Sequence, residues 1–470
     1  MSLPRIWAEV RATWQLAWPI MIGQLATVGN SFVDAVMAGH VSADDLAAVS
    51  VGASVWITVI VTLIGLLLAS SPLIAHAVGA NDRSLIRGWV QQAFYQAAIF
   101  TVVGLVVIAC AMPVFSHLGL TPDVADKAWR FLAAVAWGLP AFSCFRVCYS
   151  YSASLNSTKP MMVIALAGLA LNVPVNWVLI YGHFGFPALG GVGCGYASAF
   201  CLWASALMML GWMRYAPVYK DTYPLRHWQA IDWRRQFELF KLGVPMGLMF
   251  FVEVSAFSGI SLLMARLGTV PVAAHQIALN FSAMVFQIPA ALGTALTVRV
   301  GQALGAGQPG DARFIGWAGY KMGVASAIVS GLVTALCHRW IAGWYTQDNQ
   351  VLALASLLLI YAALFQLFDA TQTVAAGILR GYKVTRTPMI IHLTAFWIIG
   401  LPLGYALTFG LGEHIAARGA AGYWLALVVA LGFTATLLTA QFVYISNRAA
   451  RGLLRGASFN SGGAPDPLGH

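Results

Sequence analysis

Three acidic residues stand where this chain can least easily carry them. Glu253 lies in MFFVEVSAF, inside a run with no other charge between Lys241 and Arg266. Asp369 lies in LFQLFDATQT and Asp34 in GNSFVDAVMA, each among apolar residues. Inserting a charged Asp at the centre of a membrane helix costs about 2.5–3.5 kcal/mol, so three such acids point to chemistry: binding a cation or carrying a proton. The competing explanation is a neutral or hydrogen-bonded acid that locks helices together. Glu253 lies twelve residues beyond Lys241 and Asp369 eleven before Arg380. At about 1.5 Å per residue both sit roughly 17 Å from the same basic edge, at matching depth on different helices, where they could share one ion or proton. Asp34 comes a few residues before Gly39-His40-Val41 and belongs nearer the opposite side.

Polar companions recur at helical spacing. Thr27, Asn30 or Ser31, and Asp34 share one face, and Asn172 and Asn176 are one turn apart. Gln276, Asn280 and Gln287 form one stripe; Gln366, Asp369 and Thr373 form another. Any one amide can be an ordinary interhelical hydrogen-bond partner. Together with the acids they mark two pockets. One holds Glu253, Asp369, Gln276 and Asn280, with Na⁺ a candidate at the two carboxylates; the other holds Asp34, Asn30, Asn172 and Asn176. His76, His275 and His392 are isolated and read as packing or hydrogen-bonding residues. The six cysteines fall in apolar runs without CxxC spacing and read as small packing residues. GQALGAGQPG lacks the Lys-Ser/Thr of a phosphate-binding loop, and neither HExxH nor GxSxG occurs. An ATPase and the commonest hydrolases are thereby disfavoured, and no cofactor is expected.

The elements that must position these residues are membrane helices. Of 470 residues, 60% are hydrophobic and 9% charged, with a mean hydropathy of +0.77. Apolar runs long enough to cross a ~30 Å hydrocarbon core are placed at about 14–38, 46–76, 88–113, 127–152, 160–183, 190–214, 237–265, 272–304, 314–339, 351–379, 388–411 and 416–446. The runs at 46–76 and 272–304 exceed one bilayer thickness and are expected to tilt or project into water. The N-terminal segment is read as a retained first span. The fold class is therefore an all-α polytopic membrane protein of twelve helices. Nineteen Lys and Arg gather on the side of the two termini against five opposite, which makes both termini cytoplasmic. That distribution also accounts for the formal charge of +10 without a nucleic-acid partner.

The two halves repeat each other. Pro19 answers Pro245, Ala47-Ala48 answers Ala273-Ala274, and AVGA at 77–80 answers ALGA at 303–306, each 226 residues apart. KPM at 159–161 answers TPM at 387–389, and Pro174 answers Pro402, each 228 apart. The acids are not repeated: the counterparts of Asp34, Glu253 and Asp369 are Ile260, Thr27 and Ala141. Six helices per unit put both units in the membrane with one orientation, related by a pseudo-twofold axis along the membrane normal, an arrangement found in secondary transporters. The expected domains are an N-terminal lobe at 1–214, a cytoplasmic linker at 215–236, a C-terminal lobe at 237–446 and a disordered tail at 447–470.

VDAVMAGHVSADDLAAVSVG at 33–52, VAAHQIALN at 272–280 and LRGYKVTRTPM at 379–389 resemble the multidrug and toxic compound extrusion (MATE) transporters, in their bacterial NorM-like branch. The resemblance runs from about 14 to 446. It implies two six-helix bundles around a central cleft and efflux of cationic, amphipathic small molecules in exchange for Na⁺ or H⁺. It places the branch's functional acids on Asp34, Glu253 and Asp369, the latter two contributing to cation binding and the first to proton or substrate coupling. Two departures stand out. Val384 follows Lys383 where many relatives carry Asp, which questions an ion-pair gate at that position. Asn172 and Asn176 stand where some archaeal relatives have an acid. The expected protein is a monomeric antiporter among the lipids of the bacterial inner membrane. The alternatives are a lipid-linked oligosaccharide flippase of the same superfamily or an intramembrane enzyme.

Overall fold

The computed structural model describes residues 3–111, 113, 121–410 and 416–453. Twelve helical spans stand where the hydropathy places them. In the first half these are Leu3–Gly39, Ala43–Leu67 continued by Ser70–Gly79, Arg83–Cys110, Pro122–Ala136 continued by Leu139–Ser154, Lys159–Tyr181 and Gly191–Tyr215. In the second half they are Trp233–Met264, Thr269–Gly305, Pro309–Tyr345, Asn349–Gly381, an eleventh built from Arg386–Leu393, a π-helical turn at Thr394–Gly400 and Leu401–Phe409, and finally Ala420–Ala450. The fourth span bends by 44° near Trp137 and Gly138; counted as one span it brings the total from eleven to twelve. Of the two overlong runs, the second span is interrupted between Leu67 and Ser70, whereas the eighth is continuous through 37 residues.

Local chemistry explains where spans begin. The Asp82 carboxylate accepts from the N–H groups of Ser84 and Leu85 at 3.0 Å each, and Asp348 does the same for Gln350 and Val351. The Leu85 N–H and the Ser84 side chain hold the Asp82 carboxyl below the usual aspartate range. The last helix ends four residues later than its predicted boundary of 446. Arg448 extends it by stacking on Tyr444 one turn earlier and bonding to that phenol oxygen at 2.8 Å. The predicted tail lies outside the described residues from 454 onward.

The duplication is written in the backbone. Left-handed residues occur at Asn81 and Gly307, Asn156 and Lys383, Gly182 and Gly410, and Gly190 and Gly419. These pairs are 226, 227, 228 and 229 residues apart. Gly190 and Gly419 open the sixth and twelfth spans with the same torsions, φ 58° and ψ −142°, a conformation open to glycine and strained for other residues.

The halves meet most closely at the face that carries both ends of the described chain. A Cβ on Gly79 would collide with the Gln302 carbonyl, and one on Gly305 with the His76 carbonyl. Because 302 and 305 are the repeat counterparts of 76 and 79, this is one contact made twice, across the pseudo-twofold axis between the second and eighth spans. A continuous core there joins Leu16 and Ile74 of the first half to Leu304 and Ile378 of the second. A second core, including Val252, Met264, Leu358 and Trp424, belongs to the second half alone.

Polar contacts between the halves gather at the same face. Arg299 grips Glu9 with two bonds of 2.6 and 2.7 Å. Arg5 reaches Asp311 at 2.5 Å and lies over the Phe314 ring. Gln302 donates to the Ser154 carbonyl at 2.7 Å, and His76 contacts the Gly381 carbonyl at 2.8 Å. Val384 packs against the shared core, so the charges that close this face come from elsewhere. Lys383 pairs with Glu238 at 3.6 Å within its own half, and burial holds its amine below the usual lysine range. Removing one partner of a charge-assisted pair typically costs about 1.5–3 kcal/mol. Glu9→Gln should therefore speed maleimide labelling of a cysteine placed at fully buried Ala75, in a background lacking the six natural cysteines; unchanged labelling would show that the pair does not hold the face shut.

Candidate functional site

The carboxyls of the second half are brought to one level by the ring packing beside them. Phe257 of the seventh span meets Phe365 of the tenth edge-on, with centroids 6.2 Å apart. Glu253 is one turn before Phe257 and Asp369 one turn after Phe365. The two spans run in opposite directions, so both acids lie one turn from the ring pair, on its side nearer the chain ends. On the opposite side, Phe257, Phe365, Phe396 and Trp424 form an aromatic layer over them.

Their bonding is sparse. Asp369 is buried and accepts one hydrogen bond, 3.0 Å from Gln372. Glu253 is half-buried. Among the described residues it makes no hydrogen bond, and neither acid has a Lys or Arg partner. Asp369 and Gln366 border a narrow cavity with Ser326 and Ser330 of the ninth span and Pro289 of the eighth. Gln366 accepts from Thr334 at 3.1 Å. Gln276 and Asn280 present exposed side chains and are not joined to either acid by a hydrogen bond, so the eighth-span stripe is not part of a closed cluster with them.

The first-half pocket is built differently. Asn172 and Asn176 of the fifth span donate to one Asp34 oxygen at 3.2 and 2.7 Å, and Ser198 of the sixth donates to the other at 2.7 Å. Asn176 also donates to Asn172 at 3.0 Å. Three neutral donors thus surround a buried carboxyl, binding three spans together and able to stabilise negative charge there. Asn30 is half-buried, its amide oxygen unpartnered, and it does not join this network. The three histidines behave as expected of hydrogen-bonding residues: His392 contacts the Pro388 carbonyl at 2.8 Å, His275 the Ser261 hydroxyl at 3.3 Å, and His76 the Gly381 carbonyl.

Two polar neighbours of the acids escape the sequence reading. Ser198 sits among small residues in GYASAFC and looks like packing. Gln372 is three residues from Asp369, a helical spacing that was a usable signal. Among the described residues no group of three or more His, Cys, Asp or Glu side chains could hold a metal ion. A cation at Glu253 and Asp369 would therefore have two carboxylates and neutral oxygens.

The chain belongs to the MatE family, whose model matches residues 19–178 and again 245–406. The two matches start 226 and end 228 residues apart, the offsets of the internal repeat. It is 44% identical to a probable multidrug resistance protein NorM of Chromobacterium violaceum over 96% of both chains. It is 42% identical to the multidrug resistance protein PmpM of Pseudomonas aeruginosa, covering 96% of this chain and 94% of that one. Among solved structures, the MATE transporter NorM-NG, in complex with a small molecule and a monobody, superimposes with a TM-score of 0.80 at 34% identity, over 95% of this chain and 96% of that one. The family is one of transporters, not enzymes, and the fold is its two-bundle fold.

The Asp34 network should show in stability. Asn176→Leu removes the shortest amide bond to Asp34 and is expected to cost roughly 1–3 kcal/mol, read as a lower melting temperature in detergent, with Ser198→Ala costing less. An unshifted melt for Asn176→Leu would mean that the network does not bind the spans together.

Proposed function

We propose that this chain is a secondary multidrug antiporter that exports cationic amphipathic compounds in exchange for Na⁺ or H⁺. The observation that carries the reading is the pair Glu253 and Asp369, two carboxyls level with each other on separate spans and without a basic partner. Two ionised carboxylates in one low-dielectric site repel each other, and a cation or a proton between them removes the repulsion. Binding the coupling ion therefore draws the seventh and tenth spans together, and losing it lets them part. A cationic drug bound elsewhere in the cleft favours the parted arrangement, so that drug and ion exchange.

The two lobes, 1–214 and 237–446, are the moving parts, with the chain ends on the cytoplasmic side. The structure is then closed towards the cytoplasm by the second–eighth span crossing and the Glu9–Arg299 pair. The linker travels with the first lobe as far as Asp232, the seventh span beginning at Trp233. Gln91 and Gln92 of the third span donate to the Pro224 and Ala230 carbonyls at 2.6 and 2.9 Å, and Tyr151 reaches Thr222. Asp34 supplies the negative charge of the first-lobe pocket. One charge crossing 100 mV is worth about 2.3 kcal/mol, so one or two coupling ions sustain useful drug gradients.

Glu253→Gln and Asp369→Asn are each expected to lower gradient-driven efflux of a cationic dye from proteoliposomes at least tenfold, while the purified variants still bind the dye. Full efflux by both variants would remove these residues from the coupling mechanism.

A further inference from the structure

The first turns of the chain carry two different faces. Arg5, Ala8, Glu9 and Ala12 follow i, i+3, i+4, i+7 spacing and share one side of the first span. Trp7 and Trp14 are two turns apart on the opposite side, and both are exposed. Exposed tryptophans on a membrane span mark the headgroup level. The turns between them, Glu9 included, therefore lie at headgroup depth on the side of the closed face.

At that depth the charged side of the helix borders a cavity of about 390 Å³. Arg5 and Glu9 line it from the first half, and Arg299 and Asp311 from the eighth and ninth spans. The small side chains of Ala8 and Ala12 leave the space open between them. The two ion pairs across the cavity differ. Glu9 and Arg299 hold each other by two bonds, their side chains 12% and 21% exposed. Arg5 and Asp311 make one contact, their side chains 55% and 47% exposed. An exposed pair of this kind is weak and opens readily to a competing ligand. Two acids and two bases give these charges a sum of zero, so the cavity suits a ligand that carries both signs.

We propose that this cavity receives the headgroup of a zwitterionic phospholipid with a primary ammonium, phosphatidylethanolamine, entering between Arg5 and Asp311. The phosphate takes the forked guanidinium of Arg5. The ammonium, with three N–H donors, takes the Asp311 carboxylate. A choline headgroup has no N–H to give. Headgroup depth is what selects a lipid over a soluble zwitterion of the same chemistry. Arg5 belongs to one half and Asp311 to the other, so the bound headgroup bridges the seam, and the site is whole only while the halves meet here. A ligand with affinity for one arrangement alone raises its population. The lipid thus favours the form closed at this face. That last step rests on the efflux reading above, in which the lobes part there; the binding site does not.

The test places the purified full chain in nanodiscs of phosphatidylethanolamine or of phosphatidylcholine, each with the same share of phosphatidylglycerol. Lipid retained through detergent extraction is counted by mass spectrometry. Maleimide labelling of a cysteine at Ala75, in the background lacking the natural cysteines, reports opening of the closed face. The wild type should retain the ethanolamine lipid over the choline lipid at least fivefold, and label at least threefold more slowly in ethanolamine discs. Arg5→Gln and Asp311→Asn should each abolish both differences. Equal retention of the two lipids by the wild type, or a preference that survives in either variant, would overturn the site. A retained preference with equal labelling rates would overturn the bias towards the closed form. Soluble glycerophosphoethanolamine that slows labelling in choline discs as much as the lipid does would overturn the assignment to a lipid. A cysteine at position 75 that never labels, with or without a cationic dye, would count against lobe movement and so against the efflux reading, while retention still decides the site.

Discussion

The structure depends on close backbone approaches between its halves: the second span meets the seventh at Gly65 and Gly247, and, closest of all, it crosses the eighth where Gly79 meets the Gln302 carbonyl and Gly305 meets the His76 carbonyl. Backbones come this near only where no Cβ intervenes, and in lipid such close packing, rather than the hydrophobic effect, drives helix association. Placed at one face, the crossing fixes the two halves about their pseudo-twofold axis there. The remaining contacts follow: the shared core, the Glu9–Arg299 grip and the Gln302–Ser154 bond all lie around it. Further from that face the second half has a core of its own, and Glu253 and Asp369 stand on the two spans that supply its Val252 and Phe365.

Each half solves the problem of a buried acid in its own way. Asp34 is surrounded by three neutral donors from two other spans, so its charge is met inside the protein. Glu253 and Asp369 are left with one amide between them. Satisfied groups hold helices in place, whereas unsatisfied ones respond to whatever ion arrives. Symmetric scaffold and asymmetric charge therefore stand side by side: the repeat supplies two bundles, and the buried acids within them are not repeated.

Much of this was legible in the sequence. Spans emerge from hydropathy because a bilayer admits only long apolar helices. Offsets of 226 to 228 in short motifs reappear as paired left-handed residues, since a turn that needs glycine or asparagine leaves the same mark in both copies. The matching depth of Glu253 and Asp369 was countable from the flanking basic residues. Rotation and distance were not. Helical periodicity placed Gln276 and Asn280 with the acids, yet their side chains are exposed. Ser198 looked like any small residue in a packed helix until its oxygen was found on Asp34. The closing charges at Glu9 and Arg299, 290 residues apart, carry no local signal of each other.

The central claim is that cation occupancy of the Glu253–Asp369 site moves the two bundles. The most direct measurement is dye-dependent cation flux into proteoliposomes, recorded as ²²Na⁺ uptake with pH clamped and as proton uptake without Na⁺, for the wild type and for the Glu253→Gln/Asp369→Asn double variant. The account predicts that outward dye movement draws in one of the two ions through the wild type, and that the double variant binds the dye without any coupled flux. Undiminished coupled flux in the double variant would contradict it.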